Sequence, residues 1–455
     1  MSKEMIESAI KKATDTKACV IGNGVLSEVV SLFNKYFESV NSAIIICDPR
    51  TRLVAGERVE ELLKNSGITV SEYILEPGGK TFHADYFYVD QVRSAIENAG
   101  KDGTKPVPVA VGSGVINDLT KRAAGELNIP YFTVATAASV DGYSSFGAAL
   151  RSPEGAKQTY ACPAPRVIVA DLDVIRTAPE WMSASGFADL MAKVPAGADW
   201  ILAYELGASI WHDSSWHTVQ DGLKEAIGDP EGVVAKKTES LTRFVEGLML
   251  GGFAMQDMQS SRPASGAEHL FSHLLEMRDH LYKGEIVPHG IQVGVFTLFM
   301  CRVYELILDF DYSKLDVEKC LENWLPLEEA EKVGAEAFAS TKFPSLGVTS
   351  VRAKFVDRET TRKRLESFKT RWSEIRERLA NQLVPASEIK RRLEVVGAPT
   401  SPEAIGSTVE ATLADVKKTI FMRDRYMALD FLALTGQLDD FAAKALASIK
   451  TLKVF

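Results

Sequence analysis

Up to residue 177 of this 455-residue chain, short apolar runs alternate with amphipathic segments, and few folds accommodate that alternation. The runs Ala18–Gly22 (ACVIG), 43–48 (AIIICD), Val107–Gly112 (VPVAVG), 131–135 and 166–171 read as buried strands, with 71–75 a less apolar sixth. Between them 25–37, 54–65 and 116–127 carry helical spacing. Continuous apolar strands separated by helices predict a parallel sheet covered on both faces, with ligands at the carboxyl ends of its strands. From residue 178 the strand-like runs give way to 3.6-residue periodicity, as in 241–250, 266–281 and 292–308. The sequence thus predicts an α/β domain over 1–177 and an all-helical domain over 178–455. The cleft between two such domains is the expected place for catalysis.

Charge and cysteines narrow the class. Lys and Arg number 52 against 61 Asp and Glu, a net charge of −9, which removes the usual electrostatic basis for non-specific nucleic-acid binding. A local basic pocket for a small anion remains compatible with that average. Cys19, Cys47, Cys162, Cys301 and Cys320 are scattered and form no CxxC pair, which argues against a disulfide framework and against a cysteine metal site. The opening MSKEMIESAIKKATDTK lacks the apolar core of a signal peptide. The most apolar stretch, 290–308, is interrupted by Gln292, Arg302 and Glu305 and reads as a buried helix instead of a membrane span. The expectation is a cytoplasmic protein acting on a small molecule, without nucleic-acid or membrane partners. Segment 352–393, dense in Lys and Arg interleaved with Glu and Asp, reads as the solvated faces of long helices.

Five segments carry chemistry. GSGVINDLTK, from Gly112 to Lys121, follows a strong strand and opens a helix, where free backbone N–H groups favour a pyrophosphate. Its glycines serve either close ligand approach or turn geometry alone, and Asn117 stands where a GxGxxG motif would have its third glycine. TAASVDG, from Thr136 to Gly142, offers hydroxyls and a carboxylate at another strand's carboxyl end, fit for a nucleotide or polyol or simply for a turn. GFADLMAK places Asp189 in an apolar helical stretch with Lys193 one turn on. In SGAEHLFSH, His269 and His273 share a helix face; Glu268 precedes the first histidine, so this is not a zinc-protease HExxH. Last, PHG places His289 at the start of the long apolar helix. One Asp and two or three His make a plausible N/O site for a divalent cation.

Taken in order, GSGVINDLTK, TAASVDG, GFADLMAK, SGAEH and PHG resemble the iron-containing alcohol dehydrogenase superfamily, and most of all its glycerol-1-phosphate dehydrogenase branch. The similarity runs over 17–300 and returns briefly near 421–434, in RDRYMALD. The resemblance implies a dehydroquinate synthase-like fold: an N-terminal α/β dinucleotide-binding domain with a parallel sheet, and an all-α C-terminal metal-binding domain. It implies that Gly112 and Gly114 through Asp118 line the NAD or NADP pyrophosphate site, with Thr136, Ser139 and Ser145 as further dinucleotide contacts. Asp48, at the end of the second strand, would take the adenosine ribose and favour NAD. Asp189, His269 and His289 match the metal ligands for one zinc, nickel or iron ion. Asp141 and His273 match substrate contacts, and Lys193 or Arg262 would neutralise a phosphate, with Arg423 and Arg425 as lesser candidates. The implied reaction is reduction of a phosphorylated ketone such as dihydroxyacetone phosphate to sn-glycerol 1-phosphate, in a homo-oligomer. A dehydrogenase of an unphosphorylated polyol, or a dehydroquinate-synthase-like cyclase, is the alternative on the same fold. Two departures stand out: Ser113 replaces the middle of a glycine triplet, and Val140 precedes Asp141 where a polar residue is common. The helical half beyond residue 300 is longer than in typical members.

Overall fold

The computed structural model describes residues 3–76, 83–100, 103–153 and 157–452. Its main sheet contains six parallel strands: β1 (Ala18–Gly22), β2 (Ser42–Cys47), β3 (Thr69–Ile74), β4 (Val107–Gly112), β5 (Phe132–Ala135) and β8 (Val167–Asp171). Their order across the sheet is β1-β8-β5-β4-β2-β3. All six lie on the runs expected from the sequence. Alternate residues of one strand enter different cores. Ala43, Ile45 and Cys47 of β2 pack with Val29, Phe33, Val59 and Leu63 from helices on one face. Ile44 and Ile46 pack with Val92, Ile96, Ile116 and Leu119 on the other. That double burial is why these strands are apolar at every position. The connection leaving β2 runs outward to β3, whereas the one leaving β4 runs the opposite way to β5. The topological switch therefore falls between β2 and β4, where parallel sheets bind ligands at the strands' carboxyl ends.

Between β5 and β8 the chain forms an antiparallel hairpin, β6 (Ala148–Arg151) and β7 (Lys157–Tyr160). The sequence did not announce it, because small and polar residues there give no strand periodicity. Six helices matter below: α1 (Gly114–Glu126), α2 (Glu180–Met191), α3 (Lys193–Glu205), α4 (Thr238–Met258), α5 (Ala267–Met277) and α6 (His289–Asp309).

By packing, the chain divides into two compact units, residues 1–190 with 214–261, and residues 191–213 with 262–455. Helical segment 214–261 thus packs in the unit that contains the sheet. Gln256 of α4 shows why. Its buried amide accepts the backbone N–H of Asp15 at 3.1 Å and donates to Thr16 Oγ1 at 2.9 Å, tying α4 to the segment that enters β1.

In the second unit α3, α5 and α6 pack on one another. A short hairpin, β9 (Leu281–Tyr282) and β10 (Glu285–Ile286), joins α5 to α6. Its turn residues Lys283 and Gly284 have φ of 55° and 82°, the left-handed pair that a two-residue hairpin requires. The length beyond α6 is core, with Tyr312 packed on Trp372 at 4.9 Å and Phe368 on Phe431 at 4.9 Å between ring centroids. The charged segment 352–393 forms the helices Arg358–Thr370, Trp372–Gln382 and Ala386–Val395. Two of its arginines, Arg371 and Arg378, close on buried Glu205 at 2.7 and 2.6 Å. Among the described residues one helix, α6, is apolar and long enough to cross a membrane, and 78% of its most apolar stretch is buried within the protein. All five cysteines are free thiols.

Candidate active site

In the first unit, the carboxyl ends of β2, β4 and β5 carry the residues expected to hold a dinucleotide. Asp48 ends β2 and caps the helix Pro49–Thr51, its Oδ1 accepting from the backbone N–H groups of Arg50 and Thr51 at 2.8 and 2.9 Å. Helix α1 begins one residue after Ser113, whose extended backbone leads into it without a side-chain cap. The first-turn N–H groups therefore have no hydroxyl closing over them, the condition that makes a helix start an anion site. The glycines of this turn have steric causes. A Cβ at residue 112 would lie 2.5 Å from Ile116 Cβ, and one at residue 114 would lie 2.9 Å from Val140 Cγ2. Gly112 thus lets α1 sit close on β4, and Gly114 lets the loop after β5 close over the helix start.

Two polar residues of α1 brace β5 and that loop from within. Asn117 is buried and its Oδ1 accepts from Tyr131 Oη at 3.1 Å and Thr133 Oγ1 at 2.8 Å. Lys121 is fully buried, and its Nζ donates to the carbonyls of Gly142 at 2.8 Å and Gly147 at 3.0 Å. A lysine in a helix is normally solvated, so nothing local marks this one as an internal brace. Asp118 accepts the Ala149 N–H at 3.1 Å and lies 3.4 Å from Lys121 Nζ, which fixes the first residues of β6. Thr136, Ser139 and Ser145 are all buried in the same loop. Asp141 N–H donates to Asp189 Oδ2 at 3.1 Å, so two residues 48 apart in sequence meet. Gly186 explains how α2 comes so near: a Cβ there would stand 2.1 Å from the Ala138 carbonyl oxygen.

The second unit orients three histidines. His269 Nδ1 lies 2.8 Å from Oε1 of Glu268, a carboxylate with no solvent exposure. His289 Nδ1 lies 2.9 Å from Ser272 Oγ and 3.1 Å from Glu276 Oε1. The direction of these bonds follows from the far end of the chain. Gln292 Nε2 donates to the Val287 carbonyl at 2.8 Å, so its Oε1 accepts the Ser272 hydroxyl at 3.1 Å. Ser272 then has only lone pairs for His289, which must donate from Nδ1. His269, facing a carboxylate, does the same. Both rings are therefore set with Nδ1–H committed and the Nε2 lone pair presented, and their centroids are 5.4 Å apart. His273 Nδ1 lies 3.2 Å from Glu276 Oε2, and Arg423 Nη2 donates to its Nε2 at 3.1 Å. Burial pushes the His273 pKa down to about 3, opposed by Glu276 and reinforced by Arg423, so this ring is neutral.

Of these supports, the sequence assigned no site role to Ser272 or Glu276, and marked Gln292 only as a polar interruption of α6. The signal available was spacing, since Ser272 and Glu276 flank His273 on the helix that carries it. Asp199 was also missed, and it is the hub of the unit. It accepts the N–H of Ala267 at 2.8 Å and that of Ala428 at 2.9 Å, which caps two helices, and it accepts Tyr304 Oη at 2.6 Å. Burial, followed by the charge of Glu268, raises its pKa to about 6. Its mark in the sequence is an acid within the otherwise apolar stretch 194–203 of α3.

Among described proteins, the model of the family "Iron-containing alcohol dehydrogenase" matches residues 20–179. Glycerol-1-phosphate dehydrogenase [NAD(P)+] of Bacillus licheniformis is 30% identical over 301 residues, spanning 66% of this chain and 73% of its own. The enzyme of that name from Pyrococcus furiosus is 30% identical over 321 residues, spanning 70% and 83%. The chain belongs to the iron-containing alcohol dehydrogenase family. A solved glycerol dehydrogenase from Schizosaccharomyces pombe is 17% identical with a TM-score of 0.60, over 97% of this chain and 94% of its own, and shares its fold.

For a member of this family, the donor set is the test of whether a divalent cation fits. Two imidazoles, each with Nδ1 held by a carboxylate or a hydrogen-bonded hydroxyl so that Nε2 is left for a ligand, are what a borderline metal ion takes. Asp189, only 1% exposed in the first unit, carries a carboxylate oxygen, a donor of a kind such ions also take. The residues fit the ion.

Proposed function

We propose that this alcohol dehydrogenase interconverts a small phosphorylated polyol and its ketone, sn-glycerol 1-phosphate and dihydroxyacetone phosphate, with NAD or NADP. The observation that carries the reading is the His269–His289 pair, with both Nδ1 hydrogens committed and both Nε2 lone pairs presented. The substrate class is supported by relatives that bear the glycerol-1-phosphate dehydrogenase name over most of their length. Asp189, His269 and His289 would hold one divalent cation, each offering one ligand atom. Bound there, the cation supplies Lewis-acid polarisation of the substrate oxygen, and the nicotinamide supplies or accepts the hydride.

The chain's own residues do the rest. Glu268 and Glu276 keep the two imidazoles in the tautomer that binds. His273 is neutral with its Nε2 engaged by Arg423, so it is proposed to contact the substrate together with that guanidinium and not to store a proton. Asp141 is proposed to contact the substrate, its backbone pinned to Asp189. Lys193, wholly buried at the first turn of α3, is proposed as a local positive charge beside the reacting groups. Gly112, Gly114, Asp118, Thr136, Ser139 and Ser145 are proposed to shape the dinucleotide site, and Asp48 to accept the ribose hydroxyls.

The test is steady-state oxidation of NADH and NADPH with dihydroxyacetone phosphate and with free dihydroxyacetone, after reconstitution with zinc, nickel or iron. Faster kcat/KM for the phosphorylated ketone is expected. Turnover of the free ketone alone overturns the phosphate half of the reading, and bound cofactor without net turnover points to cyclase chemistry.

A further inference from the structure

In the second unit, mostly among the helices beyond residue 300, lies a cavity of about 270 Å³, close to the lower end of small-molecule pockets. Trp324, Phe355, Leu365, Phe421 and Leu434 give it an apolar wall, with the rings of Trp324 and Phe355 6.0 Å apart between centroids. Most polar groups of the wall are spoken for. Trp324 Nε1 donates to the Val356 carbonyl at 3.0 Å, Asn323 Nδ2 to the Leu434 carbonyl at 3.1 Å and Thr361 Oγ1 to the Asp357 carbonyl at 2.9 Å. Lys354 pairs with Asp430 at 2.5 Å and also donates to the Ile420 carbonyl, and Asp430 accepts the Met427 N–H at 3.0 Å. That acid and that lysine therefore answer each other.

Arg364 is answered by nothing. It lines the cavity from the helix Arg358–Thr370, partly buried, and among the described residues it makes no hydrogen bond or ion pair. Its neighbours three and four positions away on the helix, Thr360, Thr361, Ser367 and Phe368, include no acid. With Lys354 and Arg364 set against Asp430, the wall carries one net positive charge. The Tyr426 ring lines the same cavity; Arg262 holds its carbonyl at 3.1 Å, and its hydroxyl makes no hydrogen bond among the described residues. Burial, then the charge of Asp430, pushes its pKa up, so the hydroxyl keeps a proton to donate.

An apolar wall with one unanswered guanidinium disfavours both a cation and a strongly hydrated inorganic anion, which would lose its water without enough donors in return. A carboxylate with an apolar body satisfies both features, because the planar fork of arginine matches its two oxygens while the body leaves water. We propose that this cavity binds a small monocarboxylic acid with an aromatic or branched body, its carboxylate on Arg364 and Tyr426 Oη and its body against Trp324, Phe355 and Phe421. None of these residues belongs to the proposed catalytic set. The occupant also touches the stretch 420–427, whose Phe421 and Tyr426 line the cavity while its Arg423 reaches His273 Nε2 at 3.1 Å. A bound acid therefore steadies the segment that meets α5.

Calorimetry on the full-length protein tests this with three probes: phenylacetate, the uncharged phenylacetamide, and acetate, which has the charge without the body. The proteins are wild type, Arg364→Gln, and Ala433→Phe, which enlarges a wall residue into the cavity. Wild type is expected to bind phenylacetate about tenfold or more tightly than either other probe. Arg364→Gln should weaken phenylacetate about ten- to a hundredfold, the scale of one charge-assisted contact, and leave phenylacetamide unchanged. Ala433→Phe should remove both. Equal phenylacetate affinity in all three proteins places the acid elsewhere and overturns the proposal. A wild type that binds no probe overturns it as well, and a changed oligomeric mass for Ala433→Phe would then assign the cavity to a seam between copies. Hydrogen exchange across 420–427 should slow when wild type is saturated with phenylacetate, and unchanged exchange there contradicts the location. These outcomes hold whichever ketone the enzyme reduces.

Discussion

Replacing His269 with Ala is expected to empty the proposed cation site and to lower kcat/KM at least about a thousandfold, the scale on which a Lewis acid's several kcal/mol of stabilisation disappears. His289→Ala and Asp189→Asn are expected to follow it. His273→Ala should behave differently, retaining the metal while losing catalytic efficiency, because its Nε2 is engaged by Arg423. Elemental analysis of the four purified variants, read beside their rates, separates these cases. A His273→Ala protein that arrives without metal while His289→Ala keeps it would exchange the roles of the two residues. Glu276 sharpens the expectation, since its two oxygens lie 3.2 Å from His273 Nδ1 and 3.1 Å from His289 Nδ1. Losing His273 leaves that carboxylate with His289, which should keep its tautomer.

Asp199→Ala is expected to cost about 3 kcal/mol of folding stability at neutral pH, although Asp199 is none of the three proposed ligands. It leaves Tyr304 Oη and the backbone N–H groups of Ala267 and Ala428 without their buried acceptor, each worth about 1–3 kcal/mol, offset by relief of a carboxylate that burial disfavours. The pH dependence has a definite sign. A folded pKa of about 6 lies above the unfolded value near 3.9, so folding favours the protonated acid. Its contribution is complete below about pH 4 and is lost as pH rises through about 6. The stability gap between wild type and Asp199→Ala should therefore widen from pH 7 to pH 5. Denaturant unfolding at the two values measures it, and a gap that narrows on acidification contradicts the burial argument. Activity should fall as well, because the same carboxylate caps the helix that carries His269 and the helix that follows Arg425.

The sheet was legible because both of its faces are covered: full burial makes β2 and β4 continuously apolar, a pattern that needs no partner to be read. The first elements of the site were legible for a related reason, since turns that must pass close to other backbone demand small residues, and Gly114 and Gly186 stand in recognisable company. What escaped was long-range. The strands β6 and β7 are fixed by long-range contacts, Asp118 on Ala149 and Tyr86 on Tyr160, that their own short runs do not announce. Asp199, Glu276 and Gln292 acquire meaning only when α3, α5 and α6 pack, and a single acid or amide in an apolar helix does not say what it will meet. The packing of segment 214–261 with the sheet was hidden likewise, because α4 has ordinary helical periodicity and the partners of Gln256 lie about 240 residues earlier. The arginines of RDRYMALD were visible as charge, but the histidine that meets one of them lies 150 residues earlier.

The most direct test of the account is NAD(P)H oxidation by chelator-treated protein, with metal content and cofactor binding followed in the same samples. The account predicts that removing the metal abolishes reduction of dihydroxyacetone phosphate, that adding back one equivalent of a divalent ion restores it, and that calorimetry still detects NAD or NADP binding in between. Full reductase activity in protein shown by elemental analysis to be metal-free would contradict it.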